Sequence, residues 1–206
     1  AGNVGWNTKY KRPSTTKPAE IYYGDMDGSG TMRIVEAKTS GDATLPVRGR
    51  SCSSHAIPGL NEKFKSYRQF ALADLTGIYG NKCISEAERF VANDLASGMW
   101  KNDGNGKFTW EELPWAVQAS QVNSFAFADV DADGHAELVV AQNEDAREPE
   151  TGLWRGGLGV VLRYDDGGWK VVPTLQTGLD LKGAAQSLNL LDVDGDGRLE
   201  VLVGQN

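Results

Sequence analysis

Histidine and cysteine are scarce in this chain, two of each among 206 residues, and that scarcity removes several chemistries at once. Neither Cys52 nor Cys83 lies in a C-x-x-C pair, so zinc and thioredoxin-like sites lack their usual ligands. The two thiols either form one bridge or stay free and buried, with the free state favoured. His55 and His135 have no Ser or Cys partner at a useful spacing. Ser51-Cys-Ser-Ser-His55 gathers nucleophile types, yet no Gly-x-Ser-x-Gly elbow is present. No basic block or basic-aromatic stripe occurs, which argues against nucleic acid as a partner. No apolar run approaches the ~20 residues that a helical membrane span needs.

Acids and glycines are plentiful. The net charge is −7, with 25 glycines and six tryptophans, a mixture that fits many short strands joined by tight turns. A chain of this length can bury a sizeable core, and one domain is the default expectation.

The acids are concentrated in a repeat. Phe127-Ala-Asp-Val-Asp-Ala-Asp-Gly-His-Ala-Glu-Leu-Val-Val-Ala-Gln-Asn143 and Leu190-Leu-Asp-Val-Asp-Gly-Asp-Gly-Arg-Leu-Glu-Val-Leu-Val-Gly-Gln-Asn206 are near copies. Each has carboxylates at loop positions 1, 3, 5 and 9 and a glycine at 6, followed by an apolar strand. Alternate side chains of such a turned loop point inward, and an all-oxygen set of this kind suits a hard cation, calcium above all. A looser copy, Asp25-Met-Asp-Gly-Ser-Gly-Thr-Met-Arg33, has Ser29 at position 5 and Arg33 at position 9. A guanidinium there opposes a divalent ion unless Arg33 points outward, so weak or no occupancy is expected.

The loops are not EF-hands. Position 12 is Val140 in one and Val203 in the other, where a bidentate Glu is required, and the following residues favour strand. Lys101 to Glu112 is a closer decoy, but its first ligand would be an ammonium. Asn102-Asp-Gly and Asp165-Asp-Gly-Gly between apolar runs read as hairpin turns instead. The unit that recurs is a hairpin, a linker, an acidic loop and a buried strand, with flanking Trp100, Trp110 and Trp169 packing across the hairpins. Between the first and second loops, Leu60, Phe64, Tyr67, Phe70, Ala71, Leu75 and Ile78 recur at helical spacing, so roughly 45–85 reads as a helical insertion. The Asp25 loop has no hairpin upstream of it, and the last strand has no partner after it. Strands from further blades of a longer chain, from the N-terminal segment or from another subunit are expected to fill those places. The Ala1 start fits a processed chain or an excised piece.

The acidic loops, with the Leu-Val-Val-Ala and Val-Leu-Val-Gly strands that follow them, resemble FG-GAP repeats, also called VCBS repeats. Tyr22-Tyr-Gly-Asp-Met-Asp-Gly-Ser-Gly, Pro46-Val-Arg-Gly-Arg-Ser, Asn102-Asp-Gly-Asn-Gly-Lys-Phe and Val203-Gly-Gln-Asn resemble the bacterial VCBS-repeat proteins found beside ASPIC/UnbV segments. The resemblance implies a mainly β fold, part of an integrin-type β-propeller of about three blades, each calcium being held in the loop between two strands. It implies ligands Asp129, Asp131, Asp133 and Glu137 with the His135 carbonyl, and Asp192, Asp194, Asp196 and Glu200 with the Arg198 carbonyl. A weak third set would be Asp25, Asp27 and Ser29. The function expected is a non-enzymatic scaffold for a protein or glycan partner. A polysaccharide-acting enzyme domain or a lectin is the alternative. Loops filled at ~0.1–1 mM calcium work outside the cytosol, so a secreted, periplasmic or cell-surface location is expected.

Overall fold

The computed structural model describes residues 1–145 and 152–206. They fall into two compact units, one drawn from Lys9–Asp94 and the other from Ala1–Thr8 together with Leu95–Asn206.

The Lys9–Asp94 unit begins with strands β1 (Ala19–Asp25), β2 (Met32–Ser40) and β3 (Ala43–Pro46). Five short helices follow, α1 (Arg50–Ala56), α2 (Leu60–Lys63), α3 (Tyr67–Ala71), α4 (Leu75–Tyr79) and α5 (Asn81–Glu86), and then strand β4 (Glu88–Ala92). The sheet is antiparallel in the order β3-β2-β1-β4. Tyr22 lies opposite Val35, and Glu20 opposite Ala37, on its buried face, as the two-residue period of a strand requires.

The helical insertion is present, but as pieces and not as one rod. Ser66 and Gln69 form a reciprocal capping box that starts α3, with bonds of 3.2 and 3.1 Å. Asp74 caps α4 by accepting from the Gly77 N–H at 2.6 Å. Gly80, at φ +92°, ends α4 and opens α5, a backbone setting that favours glycine. Leu60, Phe64, Phe70, Leu75 and Ile78 all enter one core with Tyr22, Met26, Val35 and Ala37. Tyr67 and Ala71 of the expected face are exposed, because the breaks rotate them away. Cys52 and Cys83 are free and half-buried.

Glu20 is the one acid in this core, 3 % exposed. It accepts from Arg89 at 2.6 Å and from the Tyr22 hydroxyl at 2.7 Å. Burial pushes its carboxyl up, but the bonds from Arg89, Tyr22 and Thr39 outweigh this and leave the pKa below the ordinary value. The charged form therefore adds stability that is complete above the unfolded carboxylate pKa and is lost as pH falls through the depressed folded one. Acid titration of unfolding should show this limb for the Lys9–Asp94 unit, and Glu20→Gln should flatten it.

The other unit repeats one plan. Hairpin β5 (Gly98–Asn102) and β6 (Phe108–Glu112) leads through α6 (Trp115–Gln118) to β7 (Val122–Ala128), an acidic loop and β8 (Glu137–Gln142). Hairpin β9 (Val160–Asp165) and β10 (Gly168–Val172) leads through α7 (Thr174–Thr177) to β11 (Ala185–Leu191), an acidic loop and β12 (Glu200–Gln205). The EF-hand decoy is a hairpin, with Trp100 directly opposite Trp110 and their rings 5.1 Å apart. The β9–β10 turn is Asp166-Gly167, at φ +48° and +80°, the two-residue turn that matches strand twist.

Strands β7 to β10 form one four-stranded antiparallel sheet, while β5–β6 and β11–β12 are two-stranded. Strand β8 is buried on both faces. Leu138 and Val140 join Leu113, Val117, Val122, Val160 and Leu162, while Val139 and Ala141 join Val161, Leu181, Ala185 and Leu188. Its near copy β12 is mostly exposed and, among the described residues, pairs only with β11. Among the described residues the N-terminal segment forms no strand pairing with it. That segment lies instead along β5 and β7, where Gly98 N–H donates to the Ala1 carbonyl and Val122 N–H to that of Asn3, both at 3.0 Å. The fold is mainly β, built of several small antiparallel sheets.

At the end of β8, Asn143 is fully buried at φ +84°. Its amide donates to the carbonyls of Gly157, Leu181 and Gly183 at 2.8, 3.2 and 3.0 Å, and its side-chain oxygen accepts from the Gly157 N–H at 3.0 Å. One side chain thus ties β8 to the lead-in of β9 and to that of β11.

Candidate metal centre

Each acidic loop joins two antiparallel neighbours, β1 to β2, β7 to β8 and β11 to β12. Its first aspartate organises the turn. Asp129 accepts from the N–H groups of Asp133 and Gly134 at 3.1 and 2.9 Å. Asp192 accepts from Gly195, Asp196 and Gly197 at 2.7, 3.1 and 2.9 Å. Asp25 accepts from Asp27, Ser29 and Gly30 at 3.3, 3.1 and 2.7 Å. Backbone donors, Gly30 foremost and then Asp27 and Gly28, hold the Asp25 carboxyl below its usual pKa against the opposing effect of burial.

The ninth residue closes the loop in two cases. Glu137 accepts from the Val130 N–H at 3.1 Å, and Glu200 from that of Val193 at 2.7 Å. The result is an oxygen cage. Carboxylate oxygens of Asp129, Asp131 and Glu137 lie within 4.8 Å of one another, and so do those of Asp192, Asp194 and Glu200. Asp133 and Asp196 stand outside those triads and accept from the N–H of the seventh residue, His135 and Arg198, each at 2.8 Å. The donor set is all oxygen and anionic, with spacing that one hard cation can span. Among the described residues the Asp25 loop makes no such triad.

Two guanidinium groups distinguish the loops. Arg33 turns inward, donating to Asp27 at 2.9 Å, to the Ser29 hydroxyl at 3.3 Å and to the Thr31 carbonyl at 3.1 Å. The outward orientation that would leave this loop open to an ion is not the one adopted. Arg163, on β9, reaches the Asp129 loop. It pairs with Asp131, with Glu137 at 3.3 Å and, more distantly, with Asp133 at 4.0 Å. The Glu137 hydrogen bond, then the charge of Asp131, raise the Arg163 pKa further above its ordinary value. Glu137 itself is 1 % exposed, and the Arg163 charge offsets the cost of burying it.

Arg163 was invisible to motif reading because it comes from the next hairpin, 26 residues beyond Glu137. The fourth loop position was also missed. Gly28 and Gly195 lie there at φ +75° and +78°, and Ala132 adopts φ +61°. An L-residue is strained in that region, so Ala132→Gly should stabilise the protein by about 0.5–1 kcal/mol net of the added chain entropy. A higher urea midpoint at constant m value is the expected readout.

The serine-rich helix α1 offers no comparable arrangement, since the Ser51 hydroxyl pairs with the Tyr67 hydroxyl at 3.0 Å. No helix of the described residues is long and apolar enough to cross a membrane.

Residues 87–140 match the FG-GAP-like repeat family. The matched span runs from β4 through the β5–β6 hairpin and the Asp129 loop into β8, and it supports the FG-GAP assignment at that repeat. No curated protein and no solved structure matches the chain.

Proposed function

We propose that the chain is a calcium-binding, propeller-like interaction module of about three FG-GAP/VCBS-type blades. It acts without catalysis as an exported scaffold for a protein or glycan partner. The observation that carries this reading is the convergence of Asp129, Asp131 and Glu137, and separately of Asp192, Asp194 and Glu200, into cages within 4.8 Å. Oxygen-only ligands in a flexible loop suit calcium's six to eight ligands better than the strict octahedron of magnesium. Asp133 with the His135 carbonyl, and Asp196 with the Arg198 carbonyl, would complete the two sets, and the Asp25 loop would be the weak third.

The ion's part is structural. Repulsion among carboxylates opposes each closed loop, and a divalent charge removes it. The energy of binding then stabilises the folded strands on either side by mass action, which holds the loop surface in one shape for its partner. Calorimetric titration of metal-free protein with calcium should give two strong sites. Asp129→Asn and Asp192→Asn should each remove one. A titration without binding heat at either loop would end this reading.

A further inference from the structure

We infer that Arg163 is a tethered competitor for the cation of the Asp129 loop, so that the two cages fill in order, the Asp192 loop first. The inference rests on the calcium reading above and adds a residue and a sequence of events to it.

The three loops form a series. At Asp25 the guanidinium of Arg33 is built into the loop itself, at the position where the other two carry glutamate, and no carboxylate triad forms. At Asp129 the triad forms, but Arg163 lies against two of its three members, Asp131 and Glu137, and near Asp133. At Asp192 the triad forms, and no ion pair to Asp192, Asp194 or Glu200 occurs among the described residues. One arginine therefore stands inside the first loop, one lies against two carboxylates of the second, and among the described residues none pairs with the third.

Competition follows from charge alone. An ion entering the Asp129 cage meets carboxylates already engaged by a cation, and the guanidinium left in place would repel it across a few ångströms. Arg163 must let go. There is room for it to do so, since a cavity of about 410 Å³ adjoins the cage, lined by Asp131, Glu137 and Arg163 together with Gln176 and Thr177. The side chain can trade carboxylates for those polar groups and for water, while its strand stays paired to β8 and β10.

The same contacts have an opposite consequence in metal-free protein. There Arg163 neutralises the cage, including the buried Glu137, so it holds the loop closed without an ion. Removing it should weaken the metal-free state and strengthen the ion's grip. A residue with only a packing role would not move the two quantities in opposite directions.

The test is calcium calorimetry on the whole chain, unmodified and as Arg163→Gln and Arg163→Lys, each with the Asp192 loop intact and, in a parallel series, with Asp192→Asn added to isolate the Asp129 loop. The unmodified chain should show two affinities, the Asp129 loop being weaker by about tenfold or more. Arg163→Gln should tighten that loop by a similar factor, leave the Asp192 loop within twofold, and lower the melting temperature in chelator. Arg163→Lys, which keeps a charge without the planar fork, should fall between. Unchanged affinity at the Asp192 loop certifies that each variant is folded. The inference is overturned if Arg163→Gln leaves the Asp129 loop within twofold or weakens it while the Asp192 loop still binds. Absence of binding at both loops of the unmodified chain would remove the calcium reading itself, and this inference with it.

Discussion

Calcium should raise the melting temperature of the metal-free protein by about 10 °C or more, confined to the transition of the unit that holds both cages. At free calcium a hundredfold above the dissociation constant, each loop adds about 2.7 kcal/mol to the folded state. Two loops give about 5 kcal/mol, and a chain of this size shifts by about 2–4 °C per kcal/mol. The shift should arrive in two steps along the calcium axis, since the Asp129 loop must first displace Arg163 from Asp131 and Glu137. Asp129→Asn combined with Asp192→Asn should abolish it. Differential scanning calorimetry of the Lys9–Asp94 transition is the internal control, because that unit carries only the Asp25 loop. In that loop Arg33 already occupies the place of the ninth ligand.

Asn143→Ala should cost about 4 kcal/mol or more, the largest single-residue effect expected outside the cages. The substitution leaves two buried carbonyls, one half-buried carbonyl and one buried N–H without the partners they now have. Each unsatisfied group costs about 1–3 kcal/mol. Alanine would also have to hold φ +84°, which adds about 1–2 kcal/mol. Asn143→Gly separates the two causes, because glycine restores the backbone freedom but none of the bonds. It should recover only the smaller part. Urea unfolding followed through the midpoint and m value gives the comparison directly.

What could be read in advance, and what could not, divides along a physical line. The acidic loops, the two hairpins and the strands after each loop follow from local chemistry: carboxylate spacing, glycine position, Asp-Gly turns and apolar runs. The helical insertion was legible as a face, since Leu60, Phe64, Phe70, Leu75 and Ile78 do share a core. Gly80 was legible as a helix stop, and α4 ends there, but the further division into short helices depends on the caps at Ser66 and Asp74, which the apolar period does not encode. Arg163 lay beyond reach because nothing local connects β9 to a loop so far back in the chain. Asn143 was likewise part of a visible Gln-Asn repeat, but its four bonds come from residues 157–183. The contrast between buried β8 and exposed β12 makes the same point, because near-identical sequences differ in burial according to what the rest of the chain lays against them.

The proposed function requires two loops of one design each to enclose a divalent ion between a pair of antiparallel strands. Anomalous diffraction from a crystal grown in millimolar calcium tests it most directly. One anomalous peak is expected within Asp129, Asp131 and Glu137 and another within Asp192, Asp194 and Glu200, with the Arg163 guanidinium withdrawn from the first. Well-ordered loops with no peak in either cage, and Arg163 still seated on Asp131 and Glu137, would contradict it.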